Sequence, residues 1–401
     1  MVLLAHPGTQ HSHQLAKQLA RNGILDEFWT GFALATDSNL FRSFYDYLPK
    51  RLKRRMENRV LSGVSAKQLR TMPLVERNAM KEIREGRSEQ LVFMERNRVF
   101  QERIPGSSLQ RASAVIGFDT SSWTLAERSR VLGKPFFLDQ STSHPVATQT
   151  IMQEVARAYP DWQGTIETRL PEMLVCEEQE YRLAKKIVAA SSFSKKTLVT
   201  HGVPVEKIVV NPYGVDLHLF HTPGPGTERR PLRFLFLGTI SARKGVPLLV
   251  DAWGKMALKE AELWLVGPSK THERNLIPAL PGLRLLGPCP HRELPDLLRQ
   301  CDVLVFPGYC EGFALVLLEA LASGLPIITT EATAGPDLIT DGVEGRIIPT
   351  GNLDALCEAM QEFARQPNKA QEMSLAARRC AERFSWDSYG DRWRDILQEL
   401  N

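Results

Sequence analysis

Residues 303–330 read VLVFPGYCEGFALVLLEALASGLPIITT. Apolar runs of strand length stand at both ends, and a glycine-containing loop between them leads into an apolar helix that ends at Gly324. A strand, a helix and a second strand in this order form a unit that normally joins two parallel strands. The stretch therefore predicts a parallel α/β sheet with the GYCEGF loop at the carboxyl end of its first strand.

The same alternation extends in both directions. Further strands after residue 231 are LRFLFLG, AELWLVG, LRLLG and GRIIP, with helices such as VPLLVDAWGKM between them. Before residue 205, the predicted strands are VLLAH, ASAVIGFD, KPFFLDQ and KIVAASS, and the first is followed by the helix SHQLAKQLARNG with Ser12 as its N-cap. Near-continuous apolar strands alternating with helices indicate parallel sheets covered on both faces.

The length of 401 residues exceeds what one core usually supports, which is about 250–300 residues. The segment TPGPGTERRP, residues 222–231, is the clearest linker. We predict two Rossmann-like domains, residues 1–205 with a basic helical insertion at about 42–105, and residues 206–375. Ligands of such sheets bind beyond the carboxyl ends of the strands, so we expect a cleft between two facing domains.

Composition argues against several classes of protein. Hydrophobic residues make up 43% and charged residues 24%, as in ordinary globular domains, and no apolar run approaches the roughly 20 residues of a membrane span. The start MVLLAHPG does not resemble a signal peptide, so a cytoplasmic location is expected. The six cysteines show no zinc-site spacing and are expected to be reduced thiols.

The net charge of +4 is distributed unevenly. Residues 42–70 hold nine Lys or Arg against two acidic residues, which gives +7 there and −3 elsewhere. The densest part, KRLKRR at Lys50–Arg55, follows the aromatic stretch FRSFYDYLP. This pattern suits an anionic membrane surface, although a solvated helix face would look the same. No nucleic-acid-binding signature accompanies it, so no nucleic acid partner is expected.

Two carboxylates stand in the apolar stretch that opens this section. Glu311 falls at the edge of the cleft, and Gly312 lets the backbone approach a ligand closely. The amides of Phe313, Ala314 and Leu315 begin a helix and form a ready anion site. Glu319 lies one to two turns further along, where its two oxygens could accept hydrogen bonds from the vicinal hydroxyls of a ribose.

Two basic residues follow the first strand of the second domain. In LGTISARKG, residues 237–245, Arg243 and Lys244 lie in a loop at the same edge of the sheet. Arginine can hold two phosphate oxygens, and lysine adds a point charge. A diphosphate bound by these side chains and by helix amides needs no metal, and none is expected. Taken singly, each of these residues could also be an ordinary solvated surface residue.

These residues carry a resemblance to a known family. SSFSKKTLVTHGVPVEKIVVNPYGVDLHLF, LGTISARKGVPLLVDAW, EGFALVLLEALASGLPIITT and DGVEGRIIP together resemble the family 4 retaining glycosyltransferases, also called glycosyl transferases group 1. The resemblance is strongest from about residue 187 to 390. It implies a GT-B fold of two facing Rossmann-like domains, with a C-terminal helix, residues 376–401, that crosses back onto an acceptor-binding N-terminal domain.

The resemblance also implies roles for individual residues. Glu319 would bind the donor ribose, Glu311 would lie near the donor sugar, and Arg243 and Lys244 would stabilise the leaving diphosphate. Gly8 would approach the phosphates. The segment LLGPCPH at 285–291, which includes Gly287 and Pro288, would seat the nucleobase.

Two positions depart from the family pattern. Family members often carry an arginine directly after the glycine of the first donor-domain strand, where this chain has Gly238 followed by Thr239. They also often carry a histidine six residues after a proline such as Pro135, and that offset gives Ser141 here. Asp119, Asp139 and His144 are the alternatives for contacting the reacting sugar. Asp119 could instead cap the following helix, and His144 could be an ordinary loop histidine.

The expected activity is retaining transfer of a sugar from a UDP- or GDP-linked donor to a glycan or lipid-linked acceptor, by an enzyme that is cytoplasmic or peripheral on the membrane. The expected role lies in cell-surface polysaccharide or glycolipid synthesis, and no cofactor is expected. A sugar-nucleotide 2-epimerase and a non-catalytic sugar-nucleotide-binding subunit remain alternatives. A dinucleotide-dependent dehydrogenase is disfavoured, because neither half contains G-x-G-x-x-G followed by an acidic residue about 20 positions on.

Overall fold

The computed structural model describes residues 1–9, 11–38, 41, 45–49, 53, 56, 59–222, 230–366 and 368–399. Of the basic segment Lys50–Arg55, only Lys53 is among them. Residues 223–229 of the predicted linker also lie outside the described residues. Two parallel sheets, one in each half of the chain, organise the rest.

The first half is built on a seven-stranded parallel sheet with the strand order β5-β2-β1-β6-β7-β8-β9. A separate pair, β3-β4, lies outside it. The strands are β1 (Val2–His6), β2 (Leu25–Thr30), β3 (Leu34–Ala35), β4 (Val60–Leu61), β5 (Leu69–Thr71), β6 (Ala114–Phe118), β7 (Phe136–Gln140), β8 (Lys186–Ala189) and β9 (Ile208–Val210).

Helices cover both faces of this sheet. They are α1 (Ser12–Arg21), α2 (Pro73–Arg84), α3 (Glu89–Arg103), α4 (Gly106–Arg111), α5 (Trp123–Val131), α6 (Pro145–Ala158), α7 (Pro171–Leu183) and α8 (Ser192–Thr200), with 3-10 turns at Tyr45–Tyr47, Pro160–Thr165 and Val205–Lys207. Along β1, Val2 and Leu4 join one apolar cluster while Leu3 and Ala5 join another. This period of two explains why a strand buried on both faces reads as a continuous apolar run.

The second half repeats the design with six parallel strands in the order β12-β11-β10-β13-β14-β15. These are β10 (Leu232–Leu237), β11 (Ala261–Val266), β12 (Leu283–Gly287), β13 (Val303–Phe306), β14 (Ile327–Thr330) and β15 (Gly345–Ile348). The helices are α9 (Val246–Met256), α10 (Thr271–Asn275), α11 (Leu294–Leu298), α12 (Leu315–Ala322), α13 (Gly335–Leu338), α14 (Leu353–Arg365), α15 (Lys369–Glu382) and α16 (Trp386–Gln398), with a 3-10 turn at His291–Glu293.

The last helix returns to the first half, as predicted. In α16, Gly390 packs so closely on Gln18 of α1 that an added Cβ would lie 2.3 Å from the Gln18 Cβ. Asn22 donates a hydrogen bond to the Gly390 carbonyl, and Arg21 pairs with Asp391 at 2.6 Å. The C-terminal helix therefore ties the two halves of the chain together.

The domain limits need correction. Strand β9 belongs to the first sheet, so that sheet extends to Val210, beyond the predicted limit at residue 205. The predicted crossing segment, 376–401, begins inside α15, whose Arg378 donates to the Ala322 carbonyl at the end of α12. Helix α15 thus packs on the second half, and only α16 crosses back.

Two local predictions in the first half need correction. The segment at about 42–105 is predicted to be a helical insertion, and its described residues do include helices α2 and α3, but they also contain β4 and β5, and β5 extends the main sheet. Ser12 was expected to cap α1, but it is the first helical residue, and His11 holds the N-cap position without a side-chain cap. Within the described part of the chain, no helix has the length and apolar character that crossing a membrane requires.

Candidate active site

Two loops at the carboxyl edge of the second sheet lie directly against each other. One follows β10 and carries Arg243 and Lys244, and the other follows β13 and carries Glu311. The Tyr309 amide donates to the Arg243 carbonyl at 2.9 Å, and a Cβ at Gly245 would lie 2.0 Å from the Pro307 carbonyl oxygen. Gly245 has a φ of +77°, so the close approach and the left-handed backbone both require glycine here.

The three charged residues of these loops meet. The Arg243 guanidinium donates to Glu311 Oε1 and to the Cys310 carbonyl, the latter at 2.9 Å, and Lys244 Nζ lies 3.6 Å from the same Glu311 oxygen. The Glu311 side chain is buried. Burial lowers the pKa of Lys244, and the neighbouring Glu311 opposes that effect. Two cations share one carboxylate, which leaves a net positive site suited to an anion.

Helix α12 begins beside this group. Its N-cap residue, Ala314, has a φ of +67°, a left-handed conformation that is costly for a residue with a side chain. Phe313 is buried, and its ring lies 4.9 Å from the ring of Tyr213. The first turn of a helix leaves its amides without intrahelical acceptors, so the amides of Ala314 and Leu315 remain suited to binding an anion.

Glu319 has a partner that the sequence did not indicate. Its Oε1 accepts a hydrogen bond from His291 Nε2 at 2.9 Å, and its side chain is 13% exposed. Both carboxylates of the apolar stretch are therefore paired, Glu311 by two cations and Glu319 by an imidazole. His291 ends the segment 285–291, in which Gly287 turns with a φ of +74° and Pro288 is exposed.

The first half closes over this loop at Gly312. A Cβ at Gly312 would lie 1.9 Å from the Ser141 carbonyl oxygen and 2.8 Å from Thr142 Cα. Ser191 donates to the Gly312 carbonyl at 2.5 Å, and Ser143 Oγ lies 2.8 Å from Cys310 Sγ. The GYCEGF loop of the second half thus contacts two loops of the first half, and the cleft is closed along this line.

Asp119 supports the loop that touches Gly312. It is buried and accepts hydrogen bonds from the hydroxyls of Ser141, at 2.9 and 3.0 Å, and Thr142, at 2.9 Å. Burial raises the pKa of Asp119, and these hydroxyls oppose the rise. It does not cap the following helix, because Glu180 accepts from the amides of Thr120 and Ser122 there instead. The alternative interpretation of Asp119 as an N-cap is therefore wrong.

Asp139 connects three parts of the chain. Its Oδ1 lies 2.9 Å from His11 Nε2, and its Oδ2 accepts from the Tyr389 hydroxyl of α16 at 2.9 Å. The His11 ring in turn lies 4.2 Å from the Tyr213 ring. Both oxygens of this buried carboxylate are thus engaged in holding the C-terminal helix against the first loop.

His144 lies at the start of helix α6. Its Nδ1 accepts from the Val146 amide at 3.3 Å, its Nε2 lies 3.3 Å from Glu178, and its ring stacks on His201. Burial, reinforced by His201, lowers the pKa of His144 to about 4, so the ring is neutral near pH 7. It is a helix N-cap rather than an irregular loop histidine.

The remaining predicted positions fall at the same two sheet edges. Gly238 follows β10 with a φ of +152°, beside Lys244, and Thr239 is exposed in the arginine position of the family. Gly8 follows β1, and its carbonyl accepts weakly from Thr30 at 3.4 Å. Among the described residues, no group of three His, Cys, Asp or Glu side chains is arranged to hold a metal ion.

Residues 231–366 match the family model described as Glycosyl transferases group 1. The matched residues, called the group 1 domain below, make up 136 of the 401 residues of the chain. They contain all of the second sheet, the Arg243–Lys244–Glu311 group and the Glu319–His291 pair.

The similarity to known proteins covers more of the chain than the group 1 domain alone. A D-inositol 3-phosphate glycosyltransferase of Kribbella flavida is 30% identical over 243 residues, which cover 54% of this chain and 57% of the relative. Another from Xylanimonas cellulosilytica is 26% identical over 305 residues, 70% of this chain and 69% of the relative. The match to the Kribbella protein therefore spans little more than half of that relative's length.

Solved structures are similar to this chain over its whole length. The HepE protein of Anabaena, solved in complex with UDP and glucose, superimposes with a TM-score of 0.65 at 15% identity, covering 100% of this chain and 99% of that one. A sucrose-phosphate synthase of Thermosynechococcus elongatus gives 0.65 at 17% identity, covering 100% and 98%. These similarities confirm the predicted GT-B arrangement of two α/β domains.

Proposed function

We propose that this chain is a retaining glycosyltransferase that moves a sugar from a nucleoside-diphosphate donor to an acceptor hydroxyl. One observation carries the proposal: Arg243 and Lys244 converge on Glu311 beside the first turn of α12, inside a glycosyl transferases group 1 domain. Such a group is built to receive the negative charge of a diphosphate.

The proposed chemistry is largely electrostatic. As the bond between the sugar C1 and the diphosphate oxygen breaks, its electron pair stays on the diphosphate. Arg243, Lys244 and the α12 amides are already in place to stabilise that charge, so little reorganisation is needed at the moment of reaction. This arrangement supplies positive charge without requiring a metal ion, which is why we propose metal-independent transfer.

The surroundings of the carboxylates in the first half favour attack of the acceptor oxygen on the sugar C1 from the same face as the leaving diphosphate. Both oxygens of Asp139 are hydrogen bonded, and Asp119 accepts from two hydroxyls of its own chain. Carboxylates held in this way are poorly placed to act as covalent nucleophiles. In the proposed step, the acceptor oxygen bonds to C1 while its proton passes to the departing diphosphate oxygen, and the anomeric configuration is retained.

Donor and acceptor are proposed more coarsely. UDP or GDP is the expected leaving group, and the UDP and glucose bound to the Anabaena protein make UDP-glucose the first donor to test. Glu311 would lie at the sugar and residues 285–291 at the base, whereas the close backbone approach that Gly312 permits is to Ser141 rather than to a ligand. The basic segment Lys50–Arg55 supports a glycan or lipid-linked acceptor at an anionic membrane surface, within cell-surface polysaccharide or glycolipid synthesis at the cytoplasmic face.

Acceptor-dependent turnover tests the proposal. The purified chain would be incubated with UDP-glucose or GDP-mannose, with and without glycan and polyol-lipid acceptors, while free nucleoside diphosphate is measured. We expect release that depends on the acceptor and a product whose anomeric NMR coupling matches that of the donor. An inverted coupling would contradict retention. Conversion of the donor to its 2-epimer without acceptor would favour the isomerase, and tight donor binding without any turnover would favour the non-catalytic subunit.

A further inference from the structure

Glu319 occupies an unusual place for a carboxylate. Its helix neighbours Leu317, Leu318, Ala320 and Leu321 are fully buried, and its own side chain is 13% exposed. A carboxylate in such surroundings loses hydration and needs a hydrogen-bond donor. Among the described residues, His291 Nε2 provides that donor, 2.9 Å from Glu319 Oε1.

The histidine is itself held in place. His291 opens the 3-10 turn that follows Pro290, and its ring meets the ring of Phe220 edge-on at 5.5 Å. Phe220 is buried, so it offers a fixed wall. The His291 side chain is 54% exposed. The hydrogen bond to Glu319 of α12, with a smaller contribution from Asp216 in the segment between β9 and β10, raises the pKa of His291. The neighbouring Arg292 and Glu293 pair with each other at 3.4 Å.

One hydrogen bond leaves most of the carboxylate available. A carboxylate offers about four lone-pair sites, and His291 uses one of them on Oε1. Oε2 and the second lone pair of Oε1 remain for the two hydroxyls of a ribose. A fixed imidazole on one oxygen restricts the rotation of the Glu319 side chain, and this restriction reduces the ordering cost when a ligand binds.

We propose that His291 is a positioning residue that fixes Glu319 in the orientation that binds the donor ribose. This inference rests on the proposed function, since it assumes that Glu319 faces a nucleoside diphosphate. The residue acts through Glu319, so the two side chains form one unit in nucleotide recognition. Protonation of His291 strengthens the pair, because the hydrogen bond from a neutral imidazole to the carboxylate then becomes an ion pair.

Calorimetric titration with UDP tests the pair. Loss of a hydrogen bond to a charged group corresponds to roughly tenfold weaker binding, and we expect this for His291→Ala. His291→Gln keeps an N–H donor at a similar reach and should bind UDP within about threefold of the wild-type chain. His272→Ala, which removes an exposed histidine of α10, is the matched control and should bind like the wild type.

A double mutant and a pH series separate positioning from general damage. In the Glu319→Ala background, His291→Ala should weaken UDP binding no further, because residues that act as a unit are not additive. Between pH 6 and 8, wild-type affinity should decline relative to His291→Gln, a comparison that cancels the titration of UDP itself.

Three results would overturn the proposal in distinguishable ways. If Glu319→Ala weakens UDP binding but His291→Ala does not, Glu319 needs no positioning and only this inference fails. If the two losses add in the double mutant, His291 contacts the nucleotide independently. If the wild-type chain binds no nucleoside diphosphate, the proposed function fails and the inference fails with it.

Discussion

Gly312 packs tightly against the first half of the chain, and Gly312→Ala perturbs that contact directly. An added methyl would stand 1.9 Å from the Ser141 carbonyl oxygen, while Cβ atoms essentially never come within 3.0 Å of another heavy atom. The two loops must therefore separate by at least 1.1 Å. That displacement also strains the hydrogen bond from Ser191 to the Gly312 carbonyl.

The cost follows from these two effects. Overpacking a close contact costs about 1–3 kcal/mol, and losing a hydrogen bond costs about 1 kcal/mol. We expect closure of the cleft to weaken by about 2–3 kcal/mol, which corresponds to roughly 30- to 150-fold more frequent local opening. The backbone amides of residues 141–148 and 308–317 should exchange hydrogen faster by that factor.

Hydrogen exchange followed by mass spectrometry is the assay. Gly106→Ala is the control, because a Cβ there meets nothing within 4 Å and the backbone φ is ordinary. The same peptides should exchange at wild-type rates in the control. If Gly312→Ala also left them at wild-type rates, the two loops would not be in contact in solution, and the closed cleft described above would be wrong.

Three further predictions concern other residues. Tyr389→Phe removes the hydroxyl that donates to Asp139 and should lower the free energy of unfolding by about 1–3 kcal/mol in urea titrations; an unchanged midpoint would contradict the bond. Burial raises the pKa of Glu177 to about 7, although the nearby Arg169 opposes this rise. In the unfolded state the pKa is near 4.5, so the native state keeps this proton up to a higher pH than the unfolded state does. Wild-type stability should therefore fall relative to Glu177→Gln by about 3 kcal/mol between pH 4.5 and 8, and parallel melting curves across that range would refute it. Neutralising the basic residues of Lys50–Arg55 should abolish sedimentation with anionic liposomes, and equal sedimentation of neutral and anionic vesicles would rule out the membrane surface.

The sequence predicts the strands and helices correctly where a local pattern of apolar residues determines them. Apolar runs such as VLLA and VLVF predict buried parallel strands because both faces of each strand are covered. Strand β2, LDEFWT, is not predicted by this pattern because it contains two charged residues. Its Glu27 is buried and paired with Arg111 at 2.8 Å, a partner 84 residues away that no local pattern reveals.

In the candidate site too, some contacts could be predicted from the sequence and others could not. Arg243, Lys244 and Glu311 could be predicted to lie near one another because carboxyl-end loops of neighbouring parallel strands share one edge. The partner of Glu319 could not be predicted, since His291 lies 28 residues before it in the chain, outside any local pattern. Asp139 is one of three sequence-based alternatives for contacting the sugar, but its hydrogen bonds to His11 and Tyr389 depend on how the last helix docks.

Nucleotide binding tests the central claim most directly. The purified chain would be titrated by calorimetry with UDP, GDP, ADP and NAD in metal-free buffer, and the best ligand would be repeated with Arg243→Ala, Glu319→Ala and the Gly106→Ala control. We predict that one nucleoside diphosphate binds, that both site variants weaken it at least tenfold and that the control does not. Failure of every nucleotide to bind, or wild-type affinity in Glu319→Ala, would contradict the assignment of this cleft as a donor site.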